Sequence, residues 1–182
     1  MTSQQHDPGG RAKPKWPADS TVTAHFSDCG KYRYSLTETW NHAKPPVMWL
    51  MMNPSVACLD FSDPTLIKTG RYARAWGFGA QVVCNVHAYR TTDKTQLLNV
   101  PDPVGPLNDF VIMDKAHLCE MVVLAFGQPP KALQDRNTAV MKMLQTHSNL
   151  CYLRLAKDGT PVHPLYLPGD LLPYPYPHKR TP

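Results

Sequence analysis

An uninterrupted apolar run at residues 47–52, Val-Met-Trp-Leu-Met-Met, constrains the fold more than any other part of the chain. Because the run does not alternate with polar residues, it predicts a strand that is covered on both faces, as in the middle of a parallel sheet. Pro54 cannot continue a central strand, so the strand ends at Asn53. Open α/β sheets bind ligands at this carboxyl end, although Asn-Pro is also an ordinary turn. Asn53 is therefore a candidate site residue, with a plain turn as the alternative.

Three further apolar segments follow, and helical segments separate them. Strands are predicted at 81–86, 121–126 and 150–155, with helices at about 64–76, 108–120 and 130–147. Alternating residues on both sides of Asp28-Cys29-Gly30-Lys31 predict a β-hairpin ahead of the first buried strand. The order of elements predicts an α/β fold of three layers, αβα, with a four-stranded, mostly parallel sheet and the N-terminal β-hairpin added to it.

Length and composition predict one domain at residues 20–182, after a loose arm at residues 1–19. The five cysteines are scattered and never in C-x-x-C spacing, which argues against a disulfide framework, a zinc site or an iron–sulfur cluster, and no cofactor is expected. Because no signal peptide or membrane-spanning run is found, we expect a cytoplasmic monomer without membrane contact. The net charge of +5 fits a polyanionic partner, but it also fits a basic protein without one.

Polar residues follow each of the four predicted strands. Asn53 and Asn85 end the first two, Gly127-Gln128 follows the third, and His163 lies just past a turn after the fourth. Because the carboxyl ends of parallel strands share one edge of a sheet, these residues are predicted to converge on one site.

Nearly the whole chain from Phe26 onward resembles a bacterial family known as domain of unknown function 1643. The resemblance lies in four stretches of the sequence: residues 26–33 (FSDCGKYR), residues 50–55 (LMMNPS), residues 102–106 (DPVGP), and Lys157-Asp158-Gly159 with residues 163–168 (HPLYLP). Some relatives in this family are anti-phage glycosylases that remove glucosylated hydroxymethylcytosine from phage DNA, so the resemblance implies DNA as a partner and a modified base as the target.

The same strand ends are similar to motifs of the uracil-DNA glycosylase superfamily. Met51-Met52-Asn53-Pro54-Ser55 resembles its first motif, and Val82-Val83-Cys84-Asn85 resembles its strand that ends in a base-reading Asn. His163-Pro164-Leu165-Tyr166 resembles its closing His-Pro-Ser-Pro motif. Two residues depart from the pattern, since Ser55 stands in place of a Gly and Leu165 in place of a Ser. The resemblance implies the fold predicted above and hydrolysis of an N-glycosidic bond.

Cleavage of that bond gives each candidate a role. Asn53 would hold the attacking water, and Asp60 or Asp63 would polarise it or stabilise the sugar cation, unless Asp63 simply caps a helix. His163 would donate to the departing base or a phosphate, with a structural loop histidine as the alternative. Asn85 would read the base edge, or else be a satisfied turn residue.

Two further groups would hold the DNA. An aromatic side chain would stack on the flipped base, and the candidates are Phe61, Phe78 and Tyr89. Polar and basic residues would contact phosphates: Ser55, Lys68, Arg71, Arg74, Arg90 and Gln128. For the basic residues of the predicted helix, the alternative is a solvated helix face. No lysine is placed in the predicted site for a Schiff base, so a monofunctional glycosylase is expected rather than one with a lyase step.

Two other functions fit the same pattern. A DNA-binding module that has lost catalysis would bind DNA without releasing a base. A hydrolase or transferase for free nucleosides or nucleotides would use the same strand-end pocket on a small molecule.

Overall fold

The structure is a computed structural model that describes residues 14–177 of the chain. The strands are β1 (Thr21–Phe26), β2 (Arg33–Thr39), β3 (Pro46–Met51), β4 (Ala80–Asn85), β5 (Met121–Leu124), β6 (Leu150–Tyr152) and β7 (Tyr174–Pro175). The α-helices are α1 (Pro64–Ala75), α2 (Asn108–Leu118) and α3 (Gln134–Met143), and short 3-10 turns lie at Lys94–Asn99, Lys131–Leu133, Leu144–Thr146 and Pro164–Tyr166. The hairpin of β1 and β2 is confirmed.

The described strands form one seven-stranded sheet in the order β1-β2-β4-β3-β5-β6-β7. β3 lies between β4 and β5 and is parallel to both, and β6 continues the parallel set beside β5. β2 is antiparallel to β4, and β7 is antiparallel to β6. The mixed α/β class is therefore confirmed.

The predicted size and order of the sheet are wrong. Seven strands pair rather than four, and three of the six pairings between the described strands are antiparallel. The hairpin was predicted as an addition, but β2 pairs along the whole free edge of β4, from Ser35 to Thr39. β7 is only two residues long and lies in a proline-rich segment.

The apolar run is buried as its composition predicts. Trp49 and Leu50 are both fully buried, on opposite faces of β3. On the Trp49 face, α1 packs through side chains such as Leu66. On the Leu50 face, α2 and α3 pack through side chains such as Ile112 and Val140. Both faces of the central strands are thus closed to solvent.

The end of the predicted arm is packed against the domain. The Trp16 indole donates to the Cys58 carbonyl oxygen, and the Ser62 amide donates to the carbonyl oxygen of Pro14. Asp19 forms an ion pair with Arg74 at 2.7 Å. The packed domain therefore includes residues from Pro14 on rather than from residue 20. The rest of the predicted arm, residues 1–13, lies outside the described residues.

A search of the described helices for a membrane span finds none of sufficient length and apolar character.

We expect Leu50→Ala to lower the free energy of unfolding by about 2–5 kcal/mol, because the fully buried side chain would leave a cavity between β3 and α2. Leu118→Ala is the matched control, since this leucine at the end of α2 is 62% exposed and its removal leaves no cavity. Urea denaturation followed by circular dichroism measures both. Equal losses for the two variants would contradict the placement of Leu50 in the core.

Candidate functional site

A cleft of about 720 Å³ opens at the carboxyl edge of the parallel strands, beside the first turn of α1. Its volume lies within the range of about 300–1,000 Å³ that is typical of small-molecule sites. Six of the residues predicted from the sequence line it: Asn53, Ser55, Asp63, Asn85, Gln128 and His163. Four separate segments of the chain, one at or after the end of each of β3, β4, β5 and β6, therefore contribute candidate side chains to one cavity.

Asn53 is held by the loop that follows β4. Its Nδ2 donates to the carbonyl oxygen of Thr91 at 2.6 Å and to that of Pro54 at 3.2 Å. The Thr91 amide donates in turn to the carbonyl oxygen of Pro54. With its amide nitrogen bound to the backbone, the side chain has a fixed orientation. Its Oδ1 has no hydrogen bond within the described residues, so it remains an acceptor.

Asn85 is the last residue of β4 and is only 1% exposed. Its backbone carbonyl oxygen accepts a hydrogen bond from Nδ2 of Asn108, but its own side-chain Oδ1 has no partner within residues 14–177. A buried polar atom without a hydrogen bond costs about 1–3 kcal/mol. Because Asn85 lines the cleft, a ligand or water there can supply the missing donor.

His163 presents one ring nitrogen to the cleft in a defined protonation state. Its Nδ1 accepts from the Leu165 amide at 3.4 Å, which places the ring proton on Nε2. Burial lowers the pKa of His163, an effect that Lys94 strengthens and the carboxylate of Asp63 opposes. At neutral pH the imidazole is therefore uncharged and can donate from Nε2.

Gly127 fixes the position of this imidazole. Its φ of 64° lies in the left-handed region that favours glycine. A Cβ at this position would also lie 3.2 Å from Cβ of His163, closer than ordinary van der Waals contact allows. The glycine after β5 thus lets the His163 segment approach the strand end.

Asp63 is the N-cap of α1, as one alternative predicted. Its Oδ1 accepts from the Leu66 amide at 2.9 Å, and Pro64 occupies the first helical position. The residue is 9% exposed and also lines the cleft, so it places a carboxylate near His163. Asp60 is exposed and does not line the cleft.

Arg33, at the start of β2, lines the cleft and was missed by the sequence analysis. It is 2% exposed, and its Nη1 donates to the carbonyl oxygen of Ala57 at 2.9 Å. Burial lowers the pKa of Arg33 to about 10, with Asp63 opposing that effect, so the guanidinium stays charged at neutral pH. A charged residue within an otherwise alternating apolar pattern was the signal in the sequence. It was assigned no role because the hairpin was treated as an appendage.

The three predicted stacking residues lie elsewhere. Phe61 forms a backbone bridge with Lys15, Phe78 packs in the core on the α1 side, and Tyr89 stacks edge-on against Tyr32. The aromatic residues that do line the cleft are Phe126, which is buried, and Tyr166, which is 92% exposed.

The basic side chains that were predicted to bind phosphates also lie away from the cleft. Lys68 donates to the carbonyl oxygen of Leu167, and Arg74 pairs with Asp19. Arg90 is buried, with its Nη1 donating to the carbonyl oxygen of Gly30, and Arg71 is exposed on α1. None of these four residues lines the cleft.

A lysine, unexpectedly, does line the cleft. Nζ of Lys94 donates to the carbonyl oxygen of Gln128 at 2.8 Å. This amine is bound to the backbone, so the expectation that no lysine is placed for a Schiff base stays a prediction.

The family model described as "Protein of unknown function (DUF1643)" matches residues 33–165. The chain belongs to this DUF1643 family. No curated protein and no solved structure matches the chain.

The DUF1643 match spans most of the cleft. It begins at Arg33 and ends at Leu165, so it includes Asn53, Asn85 and His163, and only Tyr166 among the lining residues falls outside it. The family is thus matched over the residues that build the site.

A second histidine, His87, is buried just beyond the end of β4. It is 0% exposed, and neither ring nitrogen has a partner within the described part of the chain. Burial, together with the nearby charge of Arg136, lowers the pKa of His87 to about 4. The folded protein therefore holds this ring neutral.

We expect the stability of the protein to fall as the pH drops from about 6.5 to about 4. Below about 6.5 the unfolded chain binds a proton at His87 that the folded chain does not, so the free energy of unfolding decreases by up to about 3 kcal/mol. His87→Phe should flatten this dependence, whereas His42→Gln, at an exposed histidine, should leave it unchanged. Urea denaturation at several pH values measures it, and an unchanged slope in His87→Phe would contradict the assignment.

Proposed function

We propose that the protein is a monofunctional DNA glycosylase that removes a modified pyrimidine by hydrolysing its N-glycosidic bond. The observation that carries the proposal is the meeting of Asn53, Asn85 and His163 in one cleft of about 720 Å³. These are the positions at which the chain resembles the uracil-DNA glycosylase superfamily. Two asparagines and a histidine offer acceptors and donors without requiring a metal.

The reaction begins with departure of the base. The bond between C1′ and the base nitrogen breaks, its electron pair stays with the base, and positive charge develops on the sugar. Asn53 accepts a hydrogen bond from the attacking water through Oδ1, whose position is fixed because Nδ2 is bound to Thr91. Water adds its oxygen to C1′ and gives up a proton, and the base anion takes up a proton on release.

Two charged or polar groups assist these steps. Asp63 lies near His163 and contributes negative charge at the edge of the cleft, where the sugar becomes positive. The neutral His163 donates from Nε2 to an oxygen of the base or of a flanking phosphate. Asp63 cannot move freely, since it also caps α1.

The surroundings of the cleft suit a base that has been rotated out of a duplex. Tyr166 is almost fully exposed at the cleft and offers a ring on which a base can stack, a contact worth about 1–3 kcal/mol. Glucosylated hydroxymethylcytosine of phage DNA is the modified base that the family resemblance implies. Release of such a base from phage DNA would give the protein a function in phage defence.

A second candidate is a hydrolase that acts on free nucleosides or nucleotides. The observation that favours it is the placement of the basic residues: Arg74 and Arg90 are bound within the protein, and Lys68 donates to backbone. A substrate with a long phosphate backbone needs several cations beside the cleft. A small substrate does not.

We expect Asn53→Ala to retain DNA binding but to lose base release by about 100-fold or more, because the attacking water loses its fixed acceptor. The substrates are duplexes that carry cytosine, hydroxymethylcytosine or glucosylated hydroxymethylcytosine, and mass spectrometry identifies the released base. Asn99→Ala is the control, since this exposed asparagine does not line the cleft. Base release by Asn53→Ala at the wild-type rate would remove Asn53 from its role.

The same measurement separates the two candidates when free deoxynucleosides with the same bases are included. A glycosylase releases the base from duplex DNA and leaves an abasic site. Turnover of the free nucleosides together with no release from any duplex would overturn the glycosylase proposal in favour of the second candidate. DNA binding without turnover of either kind of substrate would indicate a module that binds but does not catalyse.

A further inference from the structure

Arg33 carries a buried charge that forms no ion pair within residues 14–177, although the negative charge of Asp63 acts on it from a longer distance. Its guanidinium makes one hydrogen bond, from Nη1 to the carbonyl oxygen of Ala57, while the buried Nε has no partner within residues 14–177. The ion pairs formed among the described residues do not include Arg33. Burying an unpaired charge is costly, so such a residue usually compensates its charge with a ligand or a counter-ion. Because Arg33 lines the cleft, a ligand bound there can do so.

Asn85 places a hydrogen-bond acceptor in the same cleft as the donor of Arg33. β2 and β4 are neighbours in the sheet, and Ser35 of β2 pairs with Cys84 of β4. Arg33 and Asn85 therefore lie on adjacent strands close to the same edge. Asn85 offers an acceptor, Oδ1, that has no donor, and Arg33 offers a charged donor that has no acceptor.

We propose that Arg33 and Asn85 together bind the polar edge of a pyrimidine ring. Asn85 accepts from an N–H of the ring or of its amino group, and Arg33 donates to the neighbouring carbonyl oxygen or ring nitrogen. The catalytic part of this inference rests on the proposed function. There, the base leaves as an anion, so Arg33 contacts the atoms on which negative charge develops and stabilises the transition state more than the bound substrate.

A phosphate fits this pair less well than a pyrimidine does. The oxygens of a phosphodiester accept hydrogen bonds and could satisfy Arg33, but they carry no proton to donate to Oδ1 of Asn85. A pyrimidine edge carries a donor beside an acceptor, and it gains negative charge only where Arg33 lies.

The test is the affinity of the whole chain for free pyrimidines, measured by titration calorimetry near neutral pH. Uracil has a neutral ring under these conditions, whereas 5-nitrouracil and barbituric acid have ionised rings and differ from each other at positions 5 and 6. We expect both ring anions to bind about tenfold or more tightly than uracil. Wild-type protein without this preference would overturn the proposal, and that result depends on no variant.

Variants assign the preference to Arg33. Arg33→Met should bind uracil and the two anions equally, and Arg33→Lys, which keeps the charge but not the planar donors, should retain part of the preference. Arg71→Met is the control, because this exposed arginine does not line the cleft. Circular dichroism establishes that each variant is folded. An unchanged preference in folded Arg33→Met would overturn the role of Arg33.

Inorganic phosphate is the competing probe. Displacement of 5-nitrouracil by phosphate at comparable affinity, lost in Arg33→Met, would show a phosphate site and overturn the proposal.

Failure of the proposed function and failure of the inference about Arg33 give different results. If no duplex loses a base while the preference for ring anions persists, the glycosylase proposal is wrong and the pyrimidine site stands. If bases are released by Arg33→Met at the wild-type rate, the inference about Arg33 is wrong and the glycosylase stands.

Discussion

The parallel pairing of β3 with both β4 and β5 is the constraint on which the site depends. Parallel neighbours end at the same edge, so residues that follow Met51, Asn85 and Leu124 meet there although they are far apart in the chain. The burial of Trp49 and Leu50 on opposite faces holds β3 in the middle of the sheet. Core packing and site geometry thus have a common origin in the apolar composition of one strand.

The polar side chains that line the cleft differ in whether their hydrogen-bonding groups have partners within the described chain. Asn53 and Asp63 have hydrogen bonds to the backbone that set their orientation. Asn85 and Arg33 each keep a buried atom without a partner within the described chain. Asn53 and Asp63 are therefore positioned before any ligand arrives, whereas Asn85 and Arg33 would be stabilised by the hydrogen bonds of a bound ligand. The cleft thus combines side chains that are fixed by the backbone with buried polar atoms that lack a hydrogen bond.

Sequence patterns predicted the part of the site that depends on strand ends. Asn53, Asn85 and His163 were found because a buried strand has a recognisable end and parallel ends converge. Arg33 was missed because its place in the cleft depends on β2 pairing with β4, a contact that no local pattern specifies. The basic residues of α1 were assigned from charge alone, whereas the directions of Lys68 and Arg74 follow from partners distant in the chain. The directions of these side chains are set by tertiary contacts, which composition does not reveal.

Gly127 shows how the main chain governs the chemistry at this edge. A side chain at position 127 would be strained by the left-handed φ and would press on Cβ of His163, so the close approach of the His163 segment depends on this glycine. An engineer who wished to retune the cleft would therefore leave position 127 unaltered. Diversity could be introduced next door at Gln128, whose exposed side chain borders the cavity without supporting the histidine.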